Sequence, residues 1–280
     1  MSHSAKTYYI NGDGTYDSRH PLGNKPVATT DRTQLAYYFN SEAATVGAAA
    51  PSFWWANGAS ISSDRAFAGT KSIKVPIVSG SESAGGGAYL SEYIGQSPVK
   101  GDTTWFSLRI WAPLNATWVG TPGFIKWFRY RMGEAGTWLE NRGAIYTALA
   151  ADGKLLSNFE GFPDDFNYEE TVAGSGPTLG SWTTMEHCVV HDNVSVDDGG
   201  AGEQRFYRNG VQLWRRTNQK TLQNSTDQVQ ALAFIDFWNG GASFSGNMYI
   251  DDMTIAIKGS GRDDTAYMAT DANGRKFIGI

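Results

Sequence analysis

The stretch QRFYRNGVQLWR, residues 204–215, decides the fold. Asn209-Gly210 sits between two alternating segments, and a two-residue type I′ hairpin turn needs positive φ at both central positions, which Asn and Gly tolerate. An antiparallel sheet follows. Working outward, short runs rich in Val, Ile, Thr, Trp and Tyr are separated by Gly, Asn, Asp and Pro, the pattern of many strands joined by turns. The spacing predicts strands at 72–78, 88–94, 104–112, 124–132, 144–150, 183–193, 204–208, 211–215, 230–237 and 248–257. Residues 157–181, with Pro163, Gly174, Gly176 and Pro177, read as a long irregular excursion, and such loops are usually functional or mobile. The expected organisation is an extended N-terminal arm over 1–50, a sandwich over 51–258 and a polar tail over 259–280. The tyrosines of the arm imply packing against its own domain or a sister subunit, because ordering a chain must be offset by burial.

Composition narrows the function. The chain has 280 residues, 33 glycines, 10 Trp, 13 Tyr and 14 Phe, enough for a large core with aromatic side chains to spare for the surface. No run of eighteen apolar residues occurs, which excludes a spanning helix, and no membrane partner is expected. A formal net charge of -5 offers no broad field for a polyanion, so no nucleic-acid partner is expected. Cys188 is the single cysteine and forms no internal disulfide framework. The opening MSHSAKTYYINGDG has no apolar signal region, so classical secretion is not expected.

Alternation then sorts side chains by face. Over 104–112 it puts Phe106, Leu108 and Ile110 on one side, as core, and Trp105, Ser107, Arg109 and Trp111 on the other. Aromatic rings beside a guanidinium suit stacking and hydrogen bonding to sugars; the alternative is that Trp105 and Trp111 lie beneath loops or a second sheet. Over 124–132 alternation projects Lys126, Phe128 and Tyr130 one way and Trp127, Arg129 and Arg131 the other. Arg129 and Arg131 would pair with the carboxylates or sulfates of an acidic polysaccharide, or with acidic residues of the chain itself. The candidate glycan-binding set is therefore Trp105, Arg109, Trp111, Trp127 and Arg129. His187 and His191 have the spacing of a metal pair only on a helix; on a strand four positions span about 13 Å, so no metal and no cofactor is expected. Either could line a cleft. No GxxxxGK[ST], GxSxG or HExxH motif occurs.

Four segments, taken together, resemble the concanavalin A-like jelly roll shared by laminin-G-like domains, lectins and several polysaccharide lyases. They are Ser63 to Val75, with Gly69, Lys71 and Ser72 ahead of an alternating strand; Trp182 to Val190, with Glu186; Phe206 to Gly210; and Met248 to Ile255, with Asp251 and Asp252. The resemblance implies an all-β antiparallel sandwich and leaves the chemistry open, because a fold hosts many functions. For a lyase of this group, β-elimination on a uronate needs a carboxylate neutraliser, a base for the C5 proton and an acid for the leaving oxygen. Arg129 or Arg131, His187 or His191, and Tyr130 or Tyr207 would fill these roles in that order. The alginate-lyase motifs Arg-x-Glu-Leu-Arg, Gln-Ile-His and Tyr-x-Lys-x-Gly-x-Tyr do not occur, nor does the Glu-x-Asp-x-x-Glu pair of the glucanases. The expectation is thus a non-catalytic surface protein with glycan contact, of the kind that phages carry as decoration, fibre or adhesin components. Its arm would contact virion proteins or sister subunits, and a cell-surface polysaccharide would be its ligand. The alternative is a lyase acting on an acidic polysaccharide.

Overall fold

The computed structural model describes residues 6–11, 35–49, 58–82, 86–89, 97–118, 124–134, 143–161, 166–169, 171–238, 240–258, 267–270 and 276–279. Its regular structure is β, apart from one 3-10 turn at Ser41–Ala43. Two sheets carry the fold. The larger runs β1 (Lys6–Asn11), β2 (Leu35–Asn40), β15 (Gly246–Lys258), β6 (Thr103–Trp111), β11 (Trp182–Val190), β12 (Glu203–Arg208) and β13 (Val211–Arg216). Two more strands, β4 (Ser72–Ile77) and β3 (Ser60–Ser62), join it along the edge of β15 that β2 uses further on, giving nine in all. The second sheet has six strands in the order β10 (Phe166–Glu169), β9 (Leu155–Glu160), β8 (Gly143–Ala150), β7 (Phe124–Glu134), β14 (Asp227–Trp238) and β5 (Gly86–Tyr89). Among the described residues all strand-to-strand pairings are antiparallel except β1 with β2. This is the all-β sandwich that the sequence pattern predicts.

The hairpin at residues 204–215 forms as expected, with φ of 50° at Asn209 and 78° at Gly210. In β6 the alternation also holds: Phe106, Leu108 and Ile110 are buried between the sheets. Phe128 of β7 is the hub of that interior. Its ring meets Phe106 at 5.0 Å, Phe206 at 5.4 Å and Phe234 at 5.0 Å, all edge-to-face. Such pairs add roughly 0.5–1.5 kcal/mol each beyond the area they bury. A single side chain thus ties β7 and β14 of one sheet to β6 and β12 of the other.

One expectation changes, and two segments gain detail. The excursion expected over 157–181 starts inside a strand, because β9 runs to Glu160 and β10 follows at Phe166–Glu169. Within the expected arm, Leu35–Asn40 is a strand hydrogen-bonded to β15, so this part packs on its own domain. The tail supplies a two-stranded hairpin, β16 (Tyr267–Thr270) with β17 (Lys276–Gly279).

Candidate functional site on the outer face of the six-stranded sheet

The site is made by an irregularity. The pairing of β7 with β8 shifts between Lys126 and Phe128, and the pairing of β14 with β7 shifts between Phe234 and Phe237. Inside the second shift Ile235 has φ of 51°, a conformation that a β-branched residue adopts only under constraint. Bulges of this kind re-aim side chains and recur beside functional sites. Here the bulge turns Trp127 into the core, where it lies edge-on to Trp118 at 5.5 Å and to Phe234 at 4.8 Å. The simple alternation expected over 124–132 is therefore corrected. Phe128 and Tyr130 share the interior with Trp127, and Lys126 moves to the outer face with Arg129 and Arg131.

The register completes the cluster. Lys126, Arg129 and Arg131 pair with Ala148, Tyr146 and Ala144 of β8, which pair in turn with Leu156, Asn158 and Glu160 of β9. On the other flank Arg129 and Arg131 face Ala233 and Ala231 of β14. Long cationic side chains thus rise between alanines, with Tyr146 and Asn158 buried beside them. Lys126 Nζ lies 2.9 Å from Glu160 Oε2 and 3.2 Å from Oε1, and Arg129 Nη2 lies 3.3 Å from the same Oε2. The Lys126 ammonium also sits 5.0 Å above the Tyr146 ring, a cation–π contact. A cluster of three cations, a phenol, an amide and one carboxylate can hold a carboxylated ligand and polarise it.

The other sequence-derived candidates lie elsewhere. His187, His191 and Tyr130 are fully buried between the sheets. Burial pushes both imidazoles down to about 3, so they are neutral at physiological pH. Burial likewise raises the Tyr130 phenol well above its usual value. Sealed in the core, none of the three can reach a sugar proton. Tyr207 is on the far side of the molecule, its ring 5.2 Å from Trp105 on the outer face of the nine-stranded sheet. The residues proposed for lyase roles thus fall in three regions: Arg129 and Arg131 together on the outer face, Tyr130 with His187 and His191 in the core, and Tyr207 on the opposite sheet.

The glycan-binding set divides in the same way. Trp127 is core, Arg129 belongs to the cationic cluster, and Trp105, Arg109 and Trp111 occupy the opposite sheet. There the aromatic rings already have partners from their own chain. Trp105 is buried against Tyr207 and Cys188. Trp111 is edge-on to Tyr249 at 5.7 Å and capped by the Arg65 guanidinium at 3.7 Å. Arg109 stacks on Phe67 at 4.1 Å, donates to Thr184 Oγ1 and lies 3.5 Å from Asp252. The loop carrying Arg65 and Phe67 is fastened by Asp251, whose Oδ2 accepts from the amides of Phe67 at 2.8 Å and Ala68 at 3.2 Å. Burial, then the Asp252 charge, raises the Asp251 carboxyl to about 6. Trp111 therefore lies beneath a loop, the alternative left open by the sequence. Among the described residues no three His, Cys, Asp or Glu side chains gather as a metal site.

No family model matches the chain, and no curated protein matches it. Solved structures do. The alginate lyase Aly36B superposes with a TM-score of 0.55 at 12% identity, covering 79% of this chain and 96% of that one. A double mutant of the same enzyme in complex with alginate trisaccharide superposes at 0.52 and 13% identity, covering 79% and 97%. The alginate lyase vAL-1 from Chlorella virus gives 0.50 at 12%, covering 72% and 88%. At these identities the similarity establishes the fold. The chain shares the jelly-roll β-sandwich fold of these lyases.

Proposed function

We propose that this protein binds an acidic polysaccharide on the outer face of its six-stranded sheet. The observation that carries the reading is the bulge at Trp127, which gathers Lys126, Arg129 and Arg131 on one face beside Tyr146 and Asn158. Guanidinium groups recognise carboxylates in a planar, two-point manner, and the neighbouring phenol and amide offer hydrogen bonds to hydroxyls. The occurrence of the same fold in alginate lyases, one of them complexed with alginate trisaccharide, supports a uronate as the charged unit. Calorimetric titration with a polyuronate and with a neutral β-glucan tests it. The polyuronate should bind and lose affinity with added salt, the neutral glucan should not bind, and Arg131→Gln should weaken the polyuronate selectively.

β-Elimination on the bound uronate is the second reading, and Tyr146 favours it as a phenol among cations on this face. Arginine pairing would stabilise charge on the uronate carboxylate as the C5 proton leaves to the base. The electron pair of the C5–H bond becomes the C4–C5 double bond, the C4–O4 bond breaks, and O4 takes up a proton. Tyr146 is the acid–base group of the cluster suited to this exchange; the core histidines are not. Ultraviolet absorbance from unsaturated uronate in the wild type, lost in Tyr146→Phe with binding retained, is the expected signature.

Attachment to a virion or sister subunit is a separate proposal, with β1 as its vehicle. This strand ends the nine-stranded sheet and has no second neighbour among the described residues, and such an edge can accept a strand from a partner. A particle component should co-purify with virions in fixed copy number, and absence from them contradicts the role.

A further inference from the structure

We infer that Glu160 is a built-in competitor for the ligand's carboxylate, a role that rests on the reading of the cationic face given above. Its Oε2 bridges Lys126 and Arg129, and Oε1 also contacts the ammonium, so one internal carboxylate occupies the position between two cations that a uronate would take. The side chain reaches this position from β9. Glu160 is the register partner of Ala144, whose methyl group offers little obstruction on the way to β7.

Exposure gives the arrangement its direction. The side chains of Lys126 and Arg129 are each 11% exposed, whereas that of Glu160 is 43% exposed. The cations are the floor and the carboxylate lies over them, so a solute approaching from solvent meets Glu160 first. Taking the Glu160 carboxylate away from two sheltered cations is costly, and a carboxylate brought by the ligand offsets that cost. Binding becomes an exchange of one carboxylate for another. A neutral sugar would have to break both contacts with Glu160 and replace them with weaker hydrogen bonds, whereas a uronate restores them. Glu160 thereby acts as a specificity-determining residue, discriminating by penalising the wrong ligand, at a cost in affinity for the right one.

Glu160→Gln keeps the shape and removes the charge. Calorimetric titration of the full chain with an oligouronate should show the variant binding about tenfold more tightly than the wild type. The variant should also gain measurable affinity for a neutral oligosaccharide of the same length. Equal or weaker oligouronate binding by a variant with wild-type circular dichroism overturns the inference, because a residue that orients the cations or touches the ligand would be missed when removed. If Glu160→Gln does not fold, Glu160→Asp carries the test. It keeps the charge but shortens the reach to Lys126, so oligouronate binding should again tighten, and a failure to tighten contradicts the role. Binding of oligouronate by neither wild type nor variant overturns the reading of the face itself and this inference with it. Binding by both with the same affinity overturns this inference alone.

Discussion

The hydroxyl of Tyr130 on β7 donates to the main-chain carbonyl of His187 on β11 at 3.0 Å, spanning the space between the two sheets. The rings of the pair are edge-on at 5.1 Å, and His191 lies on another side of Tyr130 at 6.0 Å. His187 Nε2 donates to Gln204 Oε1 at 3.1 Å, and His191 Nε2 is 2.8 Å from Thr104 Oγ1. A small polar network thus sits inside an otherwise apolar core. Tyr130→Phe removes the link between sheets while preserving the ring, and should lower unfolding free energy by about 1–2 kcal/mol in urea titration. Polyuronate affinity should not change, since Tyr130 does not touch the outer face.

The same network sets the response to acid. His187 and His191 titrate at about 3 in the fold against 6.5 when solvated, so below pH 6.5 the unfolded chain binds more protons than the native one. Stability is then complete above about pH 6.5 and falls as pH drops, by at most about 1.4 kcal/mol per pH unit for each histidine, until the native groups protonate near 3. Asp251 acts in the opposite sense. With its carboxyl raised from 3.8 to about 6, the native state takes up that proton first and gains stability as pH falls through this window. Glu186, raised by burial, adds a gain of the same sign. The two histidines outweigh these contributions between pH 6.5 and 5, so urea midpoints should decline over that range. His187→Gln should flatten the decline; midpoints that hold steady or rise in the wild type contradict this account.

Trp127 is the residue that the bulge places in the core. Trp127→Ala should cost about 3–5 kcal/mol, because the cavity beside Trp118 and Phe234 cannot fully collapse. The measurement is the denaturant midpoint at fixed slope. A loss below about 1 kcal/mol would mean that the indole is not packed as described.

How far the sequence was legible depends on how regular each strand is. In β6 the two-residue period places Phe106, Leu108 and Ile110 inside and Trp105, Ser107, Arg109 and Trp111 outside, and the structure agrees at every one of these positions. In β7 the same period fails at Trp127, since one extra residue inverts the phase and no local signal marks the insertion. Alternation alone therefore groups Lys126 with Phe128 and Tyr130 instead of with the two arginines. His187 and His191 share a face with Met185 and Val189, which alternation detects correctly. Alternation does not tell a cleft from a core, and Tyr130, Phe206 and Trp214 close around His187 from other strands. Asn158 and Glu160 fall in the stretch 157–181 that Pro163, Gly174, Gly176 and Pro177 make read as an irregular excursion, although they belong to β9. Tyr146 lies within the strand predicted over 144–150, where alternation puts it on one face with Ala144 and Ala148. Its neighbours across the sheet depend on pairing between β7, β8 and β9, which composition does not encode.

The most direct test of the cationic face is calorimetric titration of the wild type and an Arg129→Gln, Arg131→Gln double variant with an oligouronate and a neutral oligosaccharide of equal length. The account predicts that the wild type binds the oligouronate in preference, with affinity falling as salt is raised, and that the double variant loses at least about tenfold while retaining its circular dichroism. Equal binding of both sugars by the wild type, or an unchanged oligouronate affinity in the double variant, would contradict it.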